Sequence, residues 1–275
     1  ALGHGYFLRD WQSMNPLEIV GRTPKNNCGE CGFPTCLAFG AAVCATGIDP
    51  HKCPYIRLEG LEIDSTGFDL EDAARQRDLA LVEHLKSKIA ALDFAVLAAR
   101  IGADCRDQTM VFTYLGQKVE LAREGILLAG VEPEDPRDQI LLYNYAHSGG
   151  GRLPDGNWIG MESMPNSLAK VRTLATYCEK PISSAFSGRP VAEIVAKAAQ
   201  AGGQTFVGSS ASLALQFQVL PMIPQQILFW EEEPEDGLEA NAKVLYDRYA
   251  LDFLDIESLL FSSERLAERL VSLLS

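Results

Sequence analysis

Cys28, Cys31, Cys36 and Cys53 stand in the spacing C-x2-C-x4-C-x16-C, and no other segment constrains the chain so tightly. Four thiolates are what a cubane iron–sulfur cluster takes, one per iron. To serve one centre, their sulfurs must converge within a few ångströms, so the backbone between them must turn sharply. Gly29 and Gly32 suit such a turn, because glycine adopts backbone angles that other residues resist. They also free amide groups to point at a cluster, and such hydrogen bonds tune its potential. Pro34 stiffens the loop before Cys36, a helix starting at Cys36 would turn its positive end inward, and Cys53-Pro54 closes the set. Phe33, Leu37 and Phe39 could keep water out, while Lys25, His51 and Lys52 lie beside ligands in sequence.

Two other readings of the same cysteines remain open. Four thiolates also bind zinc tetrahedrally, although zinc sites more often pair two C-x2-C units. Coincidental core thiols are the second. A plant-type [2Fe–2S] centre would need C-x4-C before C-x2-C, and the order here is reversed.

The 275 residues allow one or two domains and a sizeable core. Net charge is −13, of which residues 1–57 contribute +1 and residues 58–275 contribute −14. So acidic a body argues against nucleic-acid binding and against an anionic membrane surface, and favours a basic partner. The apolar runs fall short of the roughly 18 to 20 residues that span a bilayer, so no membrane span is expected. Residues 1–9 lack a basic start followed by an apolar core, so no signal peptide is expected. Seven cysteines, four of them clustered, do not read as a disulfide framework. Reduced thiols in a cytoplasmic protein are the expectation.

The organisation reads as a cluster module over 1–57, a helical linker over 58–100 and an α+β domain over 101–275. In the module, Asn15 to Val20 enters as a helix, and a second runs from Leu37 to a stop at Gly47. Residues 68–92 are helical, with Asp69 or Asp72 as cap. Met110–Leu115 and Lys118–Ala122 flank Gly116-Gln117 as a hairpin. Helices are expected over 137–147, 189–201 and 256–274. Strands are expected at Trp158–Met161 and through most of 205–230, with Pro221 and Pro224 as breaks or edges. Helices and strands without regular alternation suggest α+β: a small helical module followed by a mixed helix and antiparallel-sheet domain.

The stretch from Thr23 to Phe39, closed by Cys53-Pro54, resembles the small [4Fe-4S] module of the corrinoid iron–sulfur protein large subunit, from the acetyl-CoA synthase/CO dehydrogenase system. It is similar also to a module in the B subunit of Rnf-type electron-transport complexes. The resemblance spans residues 14–57 and matches Cys28, Cys31, Cys36 and Cys53 to that module's ligands one by one. It implies a low-potential [4Fe-4S] cluster passing single electrons in an anaerobe, to a redox partner that is a corrinoid or one-carbon enzyme. The rest lacks the β/α alternation of the corrinoid-binding barrel. Through Trp158-Ile159, Leu220-Pro221 to Trp230-Glu231, and Lys243 to Arg248, it instead resembles an uncharacterised domain fused to this module in anaerobic bacteria. That match implies architecture and no chemistry.

Other candidates favour structural readings. Gly149-Gly150-Gly151 lacks a leading strand and a following Gly-Lys-Ser/Thr, so it reads as a flexible loop. His147 reads as a surface residue, and Glu231 to Asp236 as a solvated loop rather than a dock for a basic partner or cation. Asp247 with Arg248 reads as an internal ion pair, and Tyr143, Tyr145 and Trp158 as core and rim. Cys44 lies two helical turns beyond Cys36, too far to share its site, while Cys105 and Cys178 read as buried hydrophobes. No hydrolytic constellation stands out. Two further functions stay in view: a redox enzyme with a pocket in 101–275 fed by the cluster, and a binding module with a structural cluster or zinc.

Overall fold

The computed structural model describes residues 15–46, 48–57, 70–208, 210–233, 235 and 237–275. The chain divides into two compact units, with the boundary at Arg77/Asp78.

The first unit is built on α1 (Pro16–Gly21) and α2 (Cys36–Thr46). Asn15 caps α1 by accepting the Leu17 N–H at 2.9 Å, and Pro16 occupies the first turn, where its missing N–H costs nothing. Thr35 does the same for α2, accepting the Ala38 N–H at 3.0 Å. The two helices approach so closely that a Cβ on Gly40 would lie 2.7 Å from the Pro16 carbonyl oxygen. Ile19, Phe39, Val43 and Cys53 form the small core, with Cys31, Phe33, Cys44, Ile48 and Ile56 packed on it. The expected stop at Gly47 and the expected cap Asp69 lie outside the described residues, and Asp72 falls inside α3 (Leu70–Ala90) rather than capping it.

The second unit opens with the rest of α3, then α4 (Phe94–Ile101), capped by Asp93 and ended by Gly102 at φ +70°. An antiparallel meander follows: β1 (Asp104–Arg106), β2 (Thr109–Tyr114), β3 (Gln117–Leu121) and β4 (Ile126–Leu128), in the order 1-2-3-4. The β2–β3 turn is Leu115-Gly116, one residue earlier than the sequence suggests. Both residues have positive φ, +48° and +77°, as a two-residue type I′ turn requires. Leu115 tolerates this because its N–H donates to the Val219 carbonyl and its side chain is buried.

After α5 (Pro136–Ser148) comes a five-stranded antiparallel sheet in the order β5-β9-β8-β7-β6: Trp158–Gly160, Asn241–Asp247, Ile223–Trp230, Leu213–Leu220 and Gly203–Thr205. Pro224 does not break this sheet. It lies near the start of β8, where a register shift in β7 between Gln218 and Leu220 absorbs its missing donor. α6 (Leu168–Leu174), a π-helical turn (Ala175–Glu179) and α7 (Lys180–Phe186) form one rod, followed by α8 (Val191–Ala199). α9 (Ile256–Leu274) packs its buried stripe on the sheet. The polar atoms in that interface satisfy one another. Gln225 donates to Ser262 at 2.7 Å and accepts from Ser263 at 3.0 Å, and Ser263 also bonds Tyr246 at 2.7 Å. The architecture is α+β, and no helix among the described residues is long and apolar enough to cross a membrane.

The triple glycine is a packing device rather than a flexible loop. Cβ atoms at Gly149, Gly150 and Gly151 would meet Ile101, Arg100 and Asp252 at 2.4, 2.5 and 2.6 Å. Asp247 and Arg248 do not pair with each other. Asp247, fully buried, accepts the N–H groups of Asp155, Gly156 and Tyr249, while Arg248 reaches Asp155 at 2.6 Å.

Candidate metal centre

Arg57 N–H donates to the Arg22 carbonyl at 2.9 Å, closing a loop that contains all four clustered cysteines. Within it, Lys25, Asn27, Gly29 and Gly32 have positive φ, between +51° and +85°. Asparagine and glycine tolerate this region; for Lys25 it is a strained position. Left-handed residues interspersed with ordinary ones turn successive N–H groups to one side, the geometry of an anion-binding nest. Gly32 N–H donates to the Gly29 carbonyl at 2.9 Å, so the Cys28–Cys31 pair is spanned by one tight turn, as the glycines suggest.

Cys36 has the most developed surroundings. It opens α2, and its N–H donates to Asn27 Oδ1 at 2.8 Å. Its thiol is held below the ordinary value, first by the Thr23 hydroxyl and then by the Asn27 backbone amide. The Lys25 and Asn26 amides add to this against the opposing effect of burial. Thr23 donates to the Val20 carbonyl at 2.9 Å, so a sulfur anion would compete with that carbonyl for its proton. Amides and a hydroxyl converging on one sulfur stabilise the thiolate, the form that ligates metals.

Cys53 is buried in the small core, Cys31 is half-buried against it, and Cys28 is exposed. The Phe33 and Phe39 rings meet at 5.7 Å, an apolar wall from the residues expected to exclude water. Exposed Leu37 is not part of that wall. Tyr55, two residues past Cys53, donates its hydroxyl to Glu30 at 2.9 Å. Its phenol is raised by that bond and by the Glu30 charge, with further contributions from Cys28 and Cys53. Among the described residues, no three His, Cys, Asp or Glu side chains converge where one metal ion could be held. Four thiolates suit either one tetrahedral zinc or a cubane that gives each thiolate its own iron. All seven cysteines are free thiols. Four such thiols in one small unit, with amide donors around one of them, fit a thiolate-held cluster.

Of the neighbouring charges, His51 faces Asp49 at 2.9 Å, and Lys25 and Lys52 are exposed. Cys44 packs on the small core and burial raises its pKa. Cys178 is fully buried and Cys105 partly so; His147 is exposed; Tyr143 and Tyr145 are core and Trp158 is half-buried. Thr23, Glu30 and Tyr55 had no signal in the sequence, because their contacts join residues far apart without periodicity.

A family profile described as "Domain of unknown function (DUF3786)" matches residues 93–269. Another, described as "Putative Fe-S cluster", matches residues 24–55. The Corrinoid/iron-sulfur protein large subunit of Moorella thermoacetica is 50% identical over 43 residues, 16% of this chain and 10% of that protein. The Acetyl-CoA decarbonylase/synthase complex subunit gamma of Archaeoglobus fulgidus is 43% identical over 44 residues, 16% of this chain and 9% of its own. The chain thus spans about a tenth of the length of these curated relatives. No solved structure matches it significantly. The first unit carries an iron–sulfur cluster domain, similar in sequence to those of the two relatives.

Proposed function

Because the chain belongs to the DUF3786 family and carries an iron–sulfur domain ahead of the family's region, we propose that it is a one-electron carrier whose second unit selects its partner. Cys28, Cys31, Cys36 and Cys53 would hold a [4Fe-4S] cluster, which supplies a reducible centre when bound. The observation that carries this reading is the closed loop from Arg22 to Arg57, holding four free thiols, with the Cys36 sulfur ringed by donors.

The chain's own residues have definable parts. The Lys25, Asn26 and Asn27 amides and the Thr23 hydroxyl stabilise negative charge on the Cys36 sulfur. Phe33 and Phe39 limit water on one side. Exposed Cys28 marks the side from which an electron would enter or leave. The relatives' names point to a partner of corrinoid or one-carbon metabolism, and the free thiols suit the reducing cytoplasm of an anaerobe. The acidic body, −14 over residues 58–275, favours a partner with a basic docking face.

Anaerobic reconstitution tests the reading. Brown protein with four irons and four sulfides per chain, and an EPR signal on one-electron reduction, is the expected result. Colourless protein with one zinc per chain, or a centre that cannot be reduced, overturns it.

A further inference from the structure

A cleft of about 460 Å3 lies in the second unit between α3, α5, α6 and α9, within the size range of small-molecule sites. Its walls are mainly apolar, with Ile140 and Leu141 from α5, Leu260 and Phe261 from α9, and Leu81 from α3.

Most of its charged lining is already neutralised. Arg137 forms a two-pronged pair with Asp135, with contacts of 2.6 and 3.0 Å, and lays its face on the Phe261 ring at 5.3 Å. Lys170 pairs with Glu257. Asp255 accepts the Glu257 and Ser258 N–H groups and the Ser258 hydroxyl, at 2.9, 3.0 and 2.8 Å. With its proton committed to Asp255, the Ser258 oxygen can only accept. It therefore faces the Asn144 amide NH2, at 3.1 Å, which fixes that amide's orientation. Two acceptors are left over: Asn144 Oδ1 and the carboxyl of Glu264. No hydrogen bond or ion pair among the described residues reaches Glu264, which is half-buried. Burial raises its pKa first and Glu268 next, with Arg137 opposing. Its carboxylate, eased by the Arg137 and Lys170 charges but paired with neither, is the charged group of the cleft left without a hydrogen bond or ion pair among the described residues.

We infer that this cleft binds a small organic cation, a primary amine or guanidine carrying an apolar body. The cationic head supplies the donors that Glu264 and Asn144 lack, and the body covers Ile140, Leu141 and Phe261. Anionic ligands are disfavoured because Arg137 and Lys170 are each held by a carboxylate. A charge-assisted hydrogen bond to a half-buried carboxylate outweighs a neutral one by roughly a factor of two in energy. This site is independent of the cluster reading.

The test is calorimetric titration of the full-length chain with phenethylamine and with benzylguanidine. The neutral 2-phenylethanol and the anionic 3-phenylpropionate serve as matched comparisons. Both cations should bind saturably, and the alcohol at least about tenfold more weakly than the amine, the difference expected from one charged hydrogen bond. Glu264→Gln, which keeps the shape and so the fold, should weaken both cations at least about tenfold, at an unchanged melting temperature. Absence of saturable binding by both cations, equal binding by the alcohol or the anion, or unchanged affinity in E264Q overturns the inference.

Discussion

Tyr55 donates its hydroxyl to Glu30 at 2.9 Å, joining the turn that carries Cys28 and Cys31 to the segment that carries Cys53. The two residues are 25 apart in sequence, and among the described residues this bond, with the Arg22–Arg57 closure, ties the late cysteine to the early pair. Its effect should therefore be on retention of the bound centre rather than on global stability. Tyr55→Phe and Glu30→Gln are each expected to release iron to a chelator several-fold faster, read as bleaching of the visible band. The double variant should be no faster than the singles, because both remove one interaction. Additive acceleration would show that the residues act separately.

The α1–α2 crossing gives a sharper test of the small unit. A Cβ at Gly40 would stand 2.7 Å from the Pro16 carbonyl oxygen and 3.1 Å from Val20, so Gly40→Ala must push the helices apart. Overpacking of this kind costs about 1–3 kcal/mol. At Gly21, the end of α1, a Cβ would meet nothing within 4 Å, so Gly21→Ala serves as the control. The expected outcome is a lower bleaching temperature for G40A alone. Equal behaviour of the two variants would mean that the helices do not meet as described.

In the second unit, Asp138 is buried and accepts from Tyr114 at 2.9 Å and from Arg265 Nε at 2.8 Å. Arg265 also pairs with Asp135 at 3.6 Å and with Glu268. Removing one partner of a buried pair strands the other charge, at about 3–5 kcal/mol. Arg265→Met and Asp138→Asn should therefore lower the denaturant midpoint strongly. Tyr114→Phe, which leaves the ion pair whole, should lower it by only about 1 kcal/mol. A Tyr114→Phe loss as large as that of Arg265→Met would move the weight of the network to the phenol.

How much of this was legible in the chain depends on whether the cause was local. The cysteine spacing, the Asn15 cap, the helix over 136–148 and the stripe of α9 all follow from residues within a turn or two of each other. The rod from Leu168 to Phe186 was not readable. Its π-helical turn shifts the 3.6-residue phase, and Pro181 reads as a stop. The wider turn ahead of Pro181 relieves the clash of its ring with the preceding carbonyls. β9 was missed because the run from Glu231 to Asp236 was read for its charge as a solvated loop, although Pro234 and Asp236-Gly237 are turn-favouring residue types just after β8, and because its other partner, β5, is far away in sequence. Within the site, the sulfurs were visible and their supports were not. Thr23 reaches Cys36, and Glu30 reaches Tyr55, only once the loop has closed.

The last prediction concerns the strap at residues 149–157. Asp252 accepts the Arg152 backbone N–H at 2.8 Å and its guanidinium at 2.9 and 3.0 Å, while Arg152 and Arg248 both lie over the Tyr249 ring, at 4.3 and 4.6 Å. The Arg152 side chain, then its backbone N–H, hold the Asp252 carboxyl below its ordinary range. A carboxyl whose folded pKa is depressed contributes stability that is full above the unfolded value of about 3.9 and is lost as pH falls through the folded one. Wild type should therefore exceed Asp252→Asn in stability at neutral pH, by an amount that is constant down to about pH 4 and then shrinks. Paired denaturant titrations from pH 7 to about pH 3 read this directly. Protection of the Arg152 amide from hydrogen exchange should fall over the same window. A difference that instead grew as pH fell would mean that Arg152 does not favour the ionised form of Asp252.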